Sequence, residues 1–127
     1  MHVTALYAAP LALLFLALSI RVIALRRSAR VSLGDGGDTN LLRRVRVQAN
    51  FAEYVPLALV LLGLAETLTA PVWFLHVCGL ALVAGRMCHA MGVSRTDEDF
   101  RMRVAGVALT ATPIGVLALA DFALAIG

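Results

Sequence analysis

The sequence predicts an all-α fold, an integral membrane bundle of four helices in a single domain over residues 1–127. Two observations predict it: 61% of the 127 residues are hydrophobic and 15% are charged, and the apolar residues fall into four long stretches. Soluble domains are about 45–50% apolar and about 25% charged, so this composition excludes a disordered chain and argues against a water-soluble globule. Stretches of about 20 apolar residues are long enough to cross a bilayer.

The first helix is predicted over about residues 3–27, an apolar run that basic residues follow. A cleaved signal peptide has its basic residues before the apolar run, so we expect this segment to remain as a helix. A polar segment rich in glycine and aspartate comes next and is typical of a surface loop. Thr39 or Asn40 is a suitable N-cap for the second helix, which is predicted over about residues 40–66.

The third and fourth helices are predicted from their start signals. Pro71 suits the first turn of a helix, which predicts the third helix over about residues 71–92. Thr96 and Asp99 resemble a capping box and predict the fourth helix over about residues 97–126.

Two compositional features limit the function. Cys78 and Cys88 lie within an apolar stretch at a spacing that indicates neither a disulfide framework nor a metal site, so no metal is predicted. The net charge of +3 follows from the membrane topology, and we infer no nucleic-acid partner from it.

The arginines predict the orientation in the membrane. All 11 basic residues are arginine; seven flank the first link and four flank the third, and the N-terminus, the second link and the C-terminus have none. By the positive-inside rule, both termini lie outside and the two arginine-bearing links are cytoplasmic. Arginine used without lysine favours a bacterial origin, so the predicted location is the inner membrane, with lipids as partners. The two groups are Arg21, Arg26, Arg27, Arg30, Arg43, Arg44 and Arg46, and Arg86, Arg95, Arg101 and Arg103.

Polar residues within the second apolar stretch are the main functional signal. Charged groups inside a membrane are costly and usually face a bundle interior or a cavity. At about 100° per residue, five of them fall within one arc of the helix, whereas Gln48 and Arg44 point elsewhere. Such a face can bind a small zwitterion: arginine for its carboxylates, glutamate for its ammonium, and asparagine and tyrosine for hydrogen bonds. The five are Arg43, Arg46, Asn50, Glu53 and Tyr54.

The same face has a purely structural interpretation. Glu53 can pair with arginines of other helices to hold the bundle together, and the arginines nearest the membrane surface can extend their head groups into water. Both interpretations stay open on the sequence.

Further candidates lie on the last two helices. Arg86 and His89 are three residues apart and share a face of the third helix, where His89 is either a site residue or a partner for a neighbour. Arg101 and Arg103 lie about 200° apart around the fourth helix, so only one of them can face a given cavity. Asp121 is expected to be exposed or interfacial near the outer surface.

Residues 46–56 resemble the helix-two signature of the MAPEG superfamily, the membrane-associated proteins in eicosanoid and glutathione metabolism; they read RVQANFAEYVP. Residues 24–31, ALRRSARV, also resemble the end of helix one in leukotriene- and prostaglandin-forming members. The resemblance covers nearly the whole chain and is strongest to small bacterial inner-membrane members.

The resemblance implies a homotrimer with glutathione held between adjacent protomers near the cytoplasmic surface. It implies a thiolate that attacks a hydrophobic electrophile from the bilayer, and Arg101 or Arg103 would stabilise that thiolate, as a nearby cation lowers a thiol pKa. His89 stands where eicosanoid-forming members carry a tyrosine and can supply a hydrogen bond in its place. The residues implied to bind glutathione are Arg46, Asn50, Glu53 and Tyr54, with Gln48 near it and Arg26 or Arg27 approaching from helix one.

Two function classes follow. The first is a glutathione transferase or peroxidase that acts on apolar electrophiles through a bound thiolate. The second is a non-catalytic membrane protein of the same fold that binds lipids or a partner and keeps the polar face for trimer assembly. A third interpretation, a small transporter, depends only on the presence of Glu53 within the membrane and is the weakest of the three.

Overall fold

The computed structural model describes residues 1–94 and 99–127, and all of its regular secondary structure is helical. It contains four helices: α1 (His2–Ala29), α2 (Thr39–Thr67), α3 (Val72–Ser94) and α4 (Phe100–Ile126). Each is long and apolar enough to cross a membrane. The four predicted spans are therefore confirmed, with ends that differ from the predicted ones by a few residues.

Two aspartates start helices where the sequence suggested other caps. Asp38 is the N-cap of α2 and its Oδ1 accepts hydrogen bonds from the backbone N–H groups of Asn40 and Leu41, at 2.8 and 3.2 Å. The prediction of Thr39 or Asn40 was wrong because aspartate caps as well as they do and stands one residue earlier. Asp99 caps α4 in the same way. Thr96 and the predicted start at residue 97 lie outside the described residues.

The α1–α2 connection is built from left-handed residues and a long-range arginine contact. Arg30 ends α1 with a φ of 55°, and Gly34, Gly36 and Gly37 also have positive φ. The guanidinium of Arg26 donates to the carbonyl of Gly34 at 2.7 Å, which ties the loop to the end of α1. The predicted loop is therefore an ordered connection.

The opposite end of the bundle is held by a carboxylate. Glu66, near the end of α2, accepts hydrogen bonds from the backbone N–H groups of Val3 and Thr4 and from the Thr4 hydroxyl, at 2.6–2.9 Å. The N-terminal ammonium lies 3.5 Å from the same side chain. The first N–H groups of a helix have no partner within it, so Glu66 acts as a cap for α1 supplied by another helix.

Helices α2 and α3 form the centre of the bundle. Both pack against α1 and against α4, and within the described residues α1 and α4 do not contact each other. The closest helix pair is α3 and α4, because Gly85 and Gly106 face each other: a Cβ added at Gly106 would lie 2.6 Å from the backbone nitrogen of His89. Small residues let membrane helices approach closely.

Asp121 is buried within the protomer, with an exposed fraction of 8%, so of the two expected alternatives the exposed one was wrong. It continues a row of buried α4 positions spaced three or four residues apart, Thr110, Pro113 and Leu117, so it lies on the face that packs against the bundle. Neither of its carboxylate oxygens has a hydrogen-bond partner among the described residues.

Candidate functional site

A cavity of about 320 Å³ opens between α2, α3 and α4 at the end of the bundle that bears the arginines. Sites for small molecules are clefts of about 300–1,000 Å³, so this volume is at the lower end of that range. We call it the arginine cavity. It is lined by Thr39, Leu42, Arg43, Arg46, Asn50, His89, Val93 and Arg103.

Helical spacing brings the polar lining residues together. Arg43, Arg46 and Asn50 are three and four residues apart on α2 and project into the cavity from one face, as the sequence predicted. His89 and Val93 are four residues apart and supply the wall from α3.

Arg103 reaches the cavity because α4 begins directly against α3. A Cβ added at Gly92 would lie 3.0 Å from the backbone nitrogen of Arg103, so glycine at this position permits the close approach. Arg101 is exposed and does not line the cavity. The two arginines were expected to face different directions, and Arg103 is the one that meets the cavity.

The described lining of the cavity is cationic. Three guanidinium groups and an imidazole face it, and none of its eight described lining residues is acidic. Arg46 and Arg103 are exposed and Arg43 is half-buried, so solvent screens part of their attraction for a bound ligand. The arrangement nevertheless suits an anionic ligand, and arginine can bind carboxylates with two parallel hydrogen bonds.

A buried arginine supports the α2 wall. Arg86 is 2% exposed, and its Nη1 donates to the side-chain Oδ1 of Asn50 at 2.9 Å and to the backbone carbonyl of Asn50 at 3.4 Å. These bonds fix the orientation of the Asn50 amide, whose residue lines the cavity. The Nε and Nη2 atoms of Arg86 are buried without a hydrogen-bond partner among the described residues.

The remaining predicted residues do not line the cavity. Glu53 and Tyr54 are on the surface of the protomer, and Tyr54 is 40% exposed. Gln48 donates to the Ser19 hydroxyl at 2.9 Å and so lies between α1 and α2. The arc of five residues on α2 is thus divided between the cavity and the outer surface.

Arg26 and Arg27 line a different, open depression at the end of α1, together with Arg30. In the single protomer they belong to the loop region, away from the arginine cavity.

Sequence reasoning placed Arg86 on one face of α3 with His89 without predicting its bond to Asn50, and it assigned no site role to Thr39, Leu42 or Val93. A buried partner for Arg86 could have been predicted, because a charged residue inside an apolar helix usually has one. The other three carry no chemical signal in the sequence.

The four apolar helices and the cationic cavity at one end define a multi-pass membrane protein with a polar site inside the bundle. The model of the MAPEG family matches residues 4–123. The chain belongs to the MAPEG family, as the residues of the second helix indicated. It is 39% identical over 119 residues to the inner membrane protein YecN of Escherichia coli K12, which covers 94% of this chain and 89% of that protein. YecN from the CFT073 strain matches to the same extent. With four spans and an inner-membrane relative, the chain is a multi-pass inner membrane protein.

Proposed function

We propose that the protein binds glutathione in the arginine cavity and uses its thiolate in transferase or peroxidase chemistry on apolar electrophiles. The observation that carries the proposal is the cavity itself: three arginines, an asparagine and a histidine converge inside a MAPEG-family membrane bundle.

The donor set of the cavity fits the peptide. Glutathione has two carboxylates, one ammonium, two amides and one thiol. Arg43 and Arg46 supply guanidinium groups for the carboxylates, and the Asn50 amide, held by Arg86, can bond to a peptide group. His89 supplies a further hydrogen bond from α3.

Arg103 is the cation that would stabilise the thiolate. A neighbouring cation lowers a thiol pKa, and the thiolate is the reactive nucleophile that glutathione brings. Arg103 stands on the α4 wall, opposite the α2 arginines that would hold the carboxylates. This division leaves Arg101 without a role in the same cavity.

Glu53 and Tyr54 would contribute to the glutathione site only in the assembled oligomer. They are exposed one turn beyond Asn50, so in a homotrimer they would lie where a neighbouring protomer packs. There Glu53 would meet the ammonium of glutathione, and Arg26 or Arg27 with Gln48 of the neighbour would complete the site. The family resemblance supports this arrangement between protomers.

The arginine distribution supports the orientation. With both arginine-bearing links in the cytoplasm, the cavity opens toward cytoplasmic glutathione and both termini lie outside. The hydrophobic electrophile would reach the thiolate from the bilayer.

The proposal is tested by calorimetric titration of the detergent-purified protein with glutathione, with the ultraviolet absorbance of thiolate recorded at neutral pH. We expect binding with a thiolate signal. Arg46→Ala should reduce affinity about tenfold or more, since a hydrogen bond between charged groups contributes about 1.5–3 kcal/mol. Glu53→Gln should weaken binding in the assembled protein. Unchanged affinity in both variants, or no binding at millimolar glutathione, refutes the proposal.

The second candidate function is a non-catalytic lipid- or partner-binding protein. The exposure of Glu53 and Tyr54 favours it, because residues that serve assembly lie on the protomer surface. It predicts that Glu53→Gln dissociates the oligomer in light-scattering measurements. A variant that stays assembled and loses only glutathione binding contradicts this candidate.

A further inference from the structure

A second cleft lies on the other side of α3, at the same end of the bundle. It has a volume of about 360 Å³ and shares no residue with the arginine cavity. We call it the methionine cleft. It is lined by Leu14, Ala17, Leu18, Arg21, Met87, Ala90, Met91, Ser94 and Met102.

The cleft is open sideways to the bilayer. Its walls come from α1 and α4, which do not contact each other within the described residues, and its floor comes from α3. From Leu14 to Arg21 it follows α1 for two turns, or about 10 Å. In a membrane-spanning bundle, the molecules next to such an opening are lipids.

The cleft is apolar along its length and cationic at its mouth. Leucine, alanine and methionine side chains line the deep part, and methionine adapts its shape to flexible ligands. Arg21 stands at the end nearest the first link, and its backbone carbonyl accepts a hydrogen bond from the Arg44 guanidinium at 3.3 Å, so a second arginine head group lies next to the Arg21 backbone at this end. The Ser94 hydroxyl is buried, with no partner among the described residues.

The geometry points to a binding site for one acyl chain of an anionic phospholipid, with the chain in the methionine cleft and the phosphate against Arg21 and Arg44. Charge complementarity favours an anionic lipid as the ligand of the cleft. A zwitterionic lipid can also bind its phosphate there, but it carries a second, positive charge toward the same two guanidinium groups.

The test is native mass spectrometry of the full-length protein, released from detergent with dioleoyl phosphatidylglycerol or dioleoyl phosphatidylcholine. We expect about one phosphatidylglycerol retained per chain, at about fivefold higher affinity than phosphatidylcholine, because the choline cation is repelled by the nearby guanidinium groups and the neutral glycerol head group is not. Arg21→Gln should remove that preference. Ala17→Phe, which fills the cleft, should abolish retention of both lipids.

Two matched variants control for substitution itself. Ala9→Phe places the same side chain on an exposed α1 position outside the cleft, and Arg30→Gln removes a charge from the first link. Both should retain lipid as the unaltered protein does, and all variants should keep their helical circular dichroism and their glutathione affinity.

Three results would overturn the inference: equal retention of both lipids by the unaltered protein, lipid retained by Ala17→Phe, or a change of oligomeric mass in Ala17→Phe. The last would mean that a second copy of the chain occupies the cleft. Because the two sites share no residue, loss of glutathione binding would leave this test unaffected.

Discussion

Gly106→Ala is expected to push α3 and α4 apart. This movement should disturb the arginine cavity, although Gly106 does not line it. The new Cβ would lie 2.6 Å from the backbone nitrogen of His89, 2.7 Å from its Cβ and 2.8 Å from the Gly85 carbonyl. Ordinary contacts begin at 3.4 Å, so the helices must move apart by about 0.8 Å. The contacts are with backbone, which no side-chain rotation can relieve.

Two opposing effects decide the magnitude. Overpacking a tight contact costs about 1–3 kcal/mol and sometimes more. Alanine in place of glycine stabilises a helix by up to about 1 kcal/mol, because its helix propensity is higher. The net effect is a loss of stability, together with weaker glutathione binding, because the His89 backbone moves.

Gly115→Ala is the matched control. It lies in the same helix, and nothing is within 4 Å of the position that a Cβ would take. It should leave stability unchanged or raise it by up to about 1 kcal/mol. The assay is the thermal midpoint of the detergent-purified protein by circular dichroism. A midpoint for Gly106→Ala equal to or above that of Gly115→Ala would refute the packing argument.

The remaining predictions concern single side chains, each measured against the unaltered protein. Arg103→Ala should abolish the thiolate absorbance of bound glutathione and Arg101→Ala should preserve it, since of these two arginines Arg103 is the one that lines the cavity; equal effects would contradict the assignment. Glu66→Gln should lower the thermal midpoint by the equivalent of about 1–3 kcal/mol, because bonds from α1 to a charged carboxylate are weakened; an unchanged midpoint would contradict its capping role. Asp38→Ala should cost about 1 kcal/mol by loss of the α2 cap, and Asp38→Ser should restore most of it. Asp121→Leu should raise the midpoint, because a buried carboxylate without a partner is destabilising by about 1–3 kcal/mol; a lower midpoint would indicate a bound partner for Asp121.

Much of the site was predictable because a helix has a fixed period. The spacing of Arg43, Arg46 and Asn50 places them on one face of α2 in any structure that contains this helix, and all three line the cavity. The same geometry shows that Arg101 and Arg103 cannot both face it.

The helical period does not determine which residues of a face are covered by a neighbouring helix. Glu53 and Tyr54 share the arc of Asn50, yet they lie on the surface of the protomer, because none of the helices packed against α2 covers that part of the arc. Gln48 meets Ser19 because α1 packs on its side of α2. The period of a helix contains no information about which neighbour covers which turn.

The sequence by itself determined the class of the molecule: an apolar composition, four spans, arginines grouped around two of the links, and a second helix typical of the MAPEG family. These properties are local, since hydrophobicity and helical period depend on residues close together in the chain. Tertiary structure alone decided that Arg103 faces the cavity, that Arg86 holds Asn50 and that Asp121 is buried. Those outcomes depend on how closely and at what rotation the helices cross, which contacts such as Gly85 with Gly106 set across the bundle.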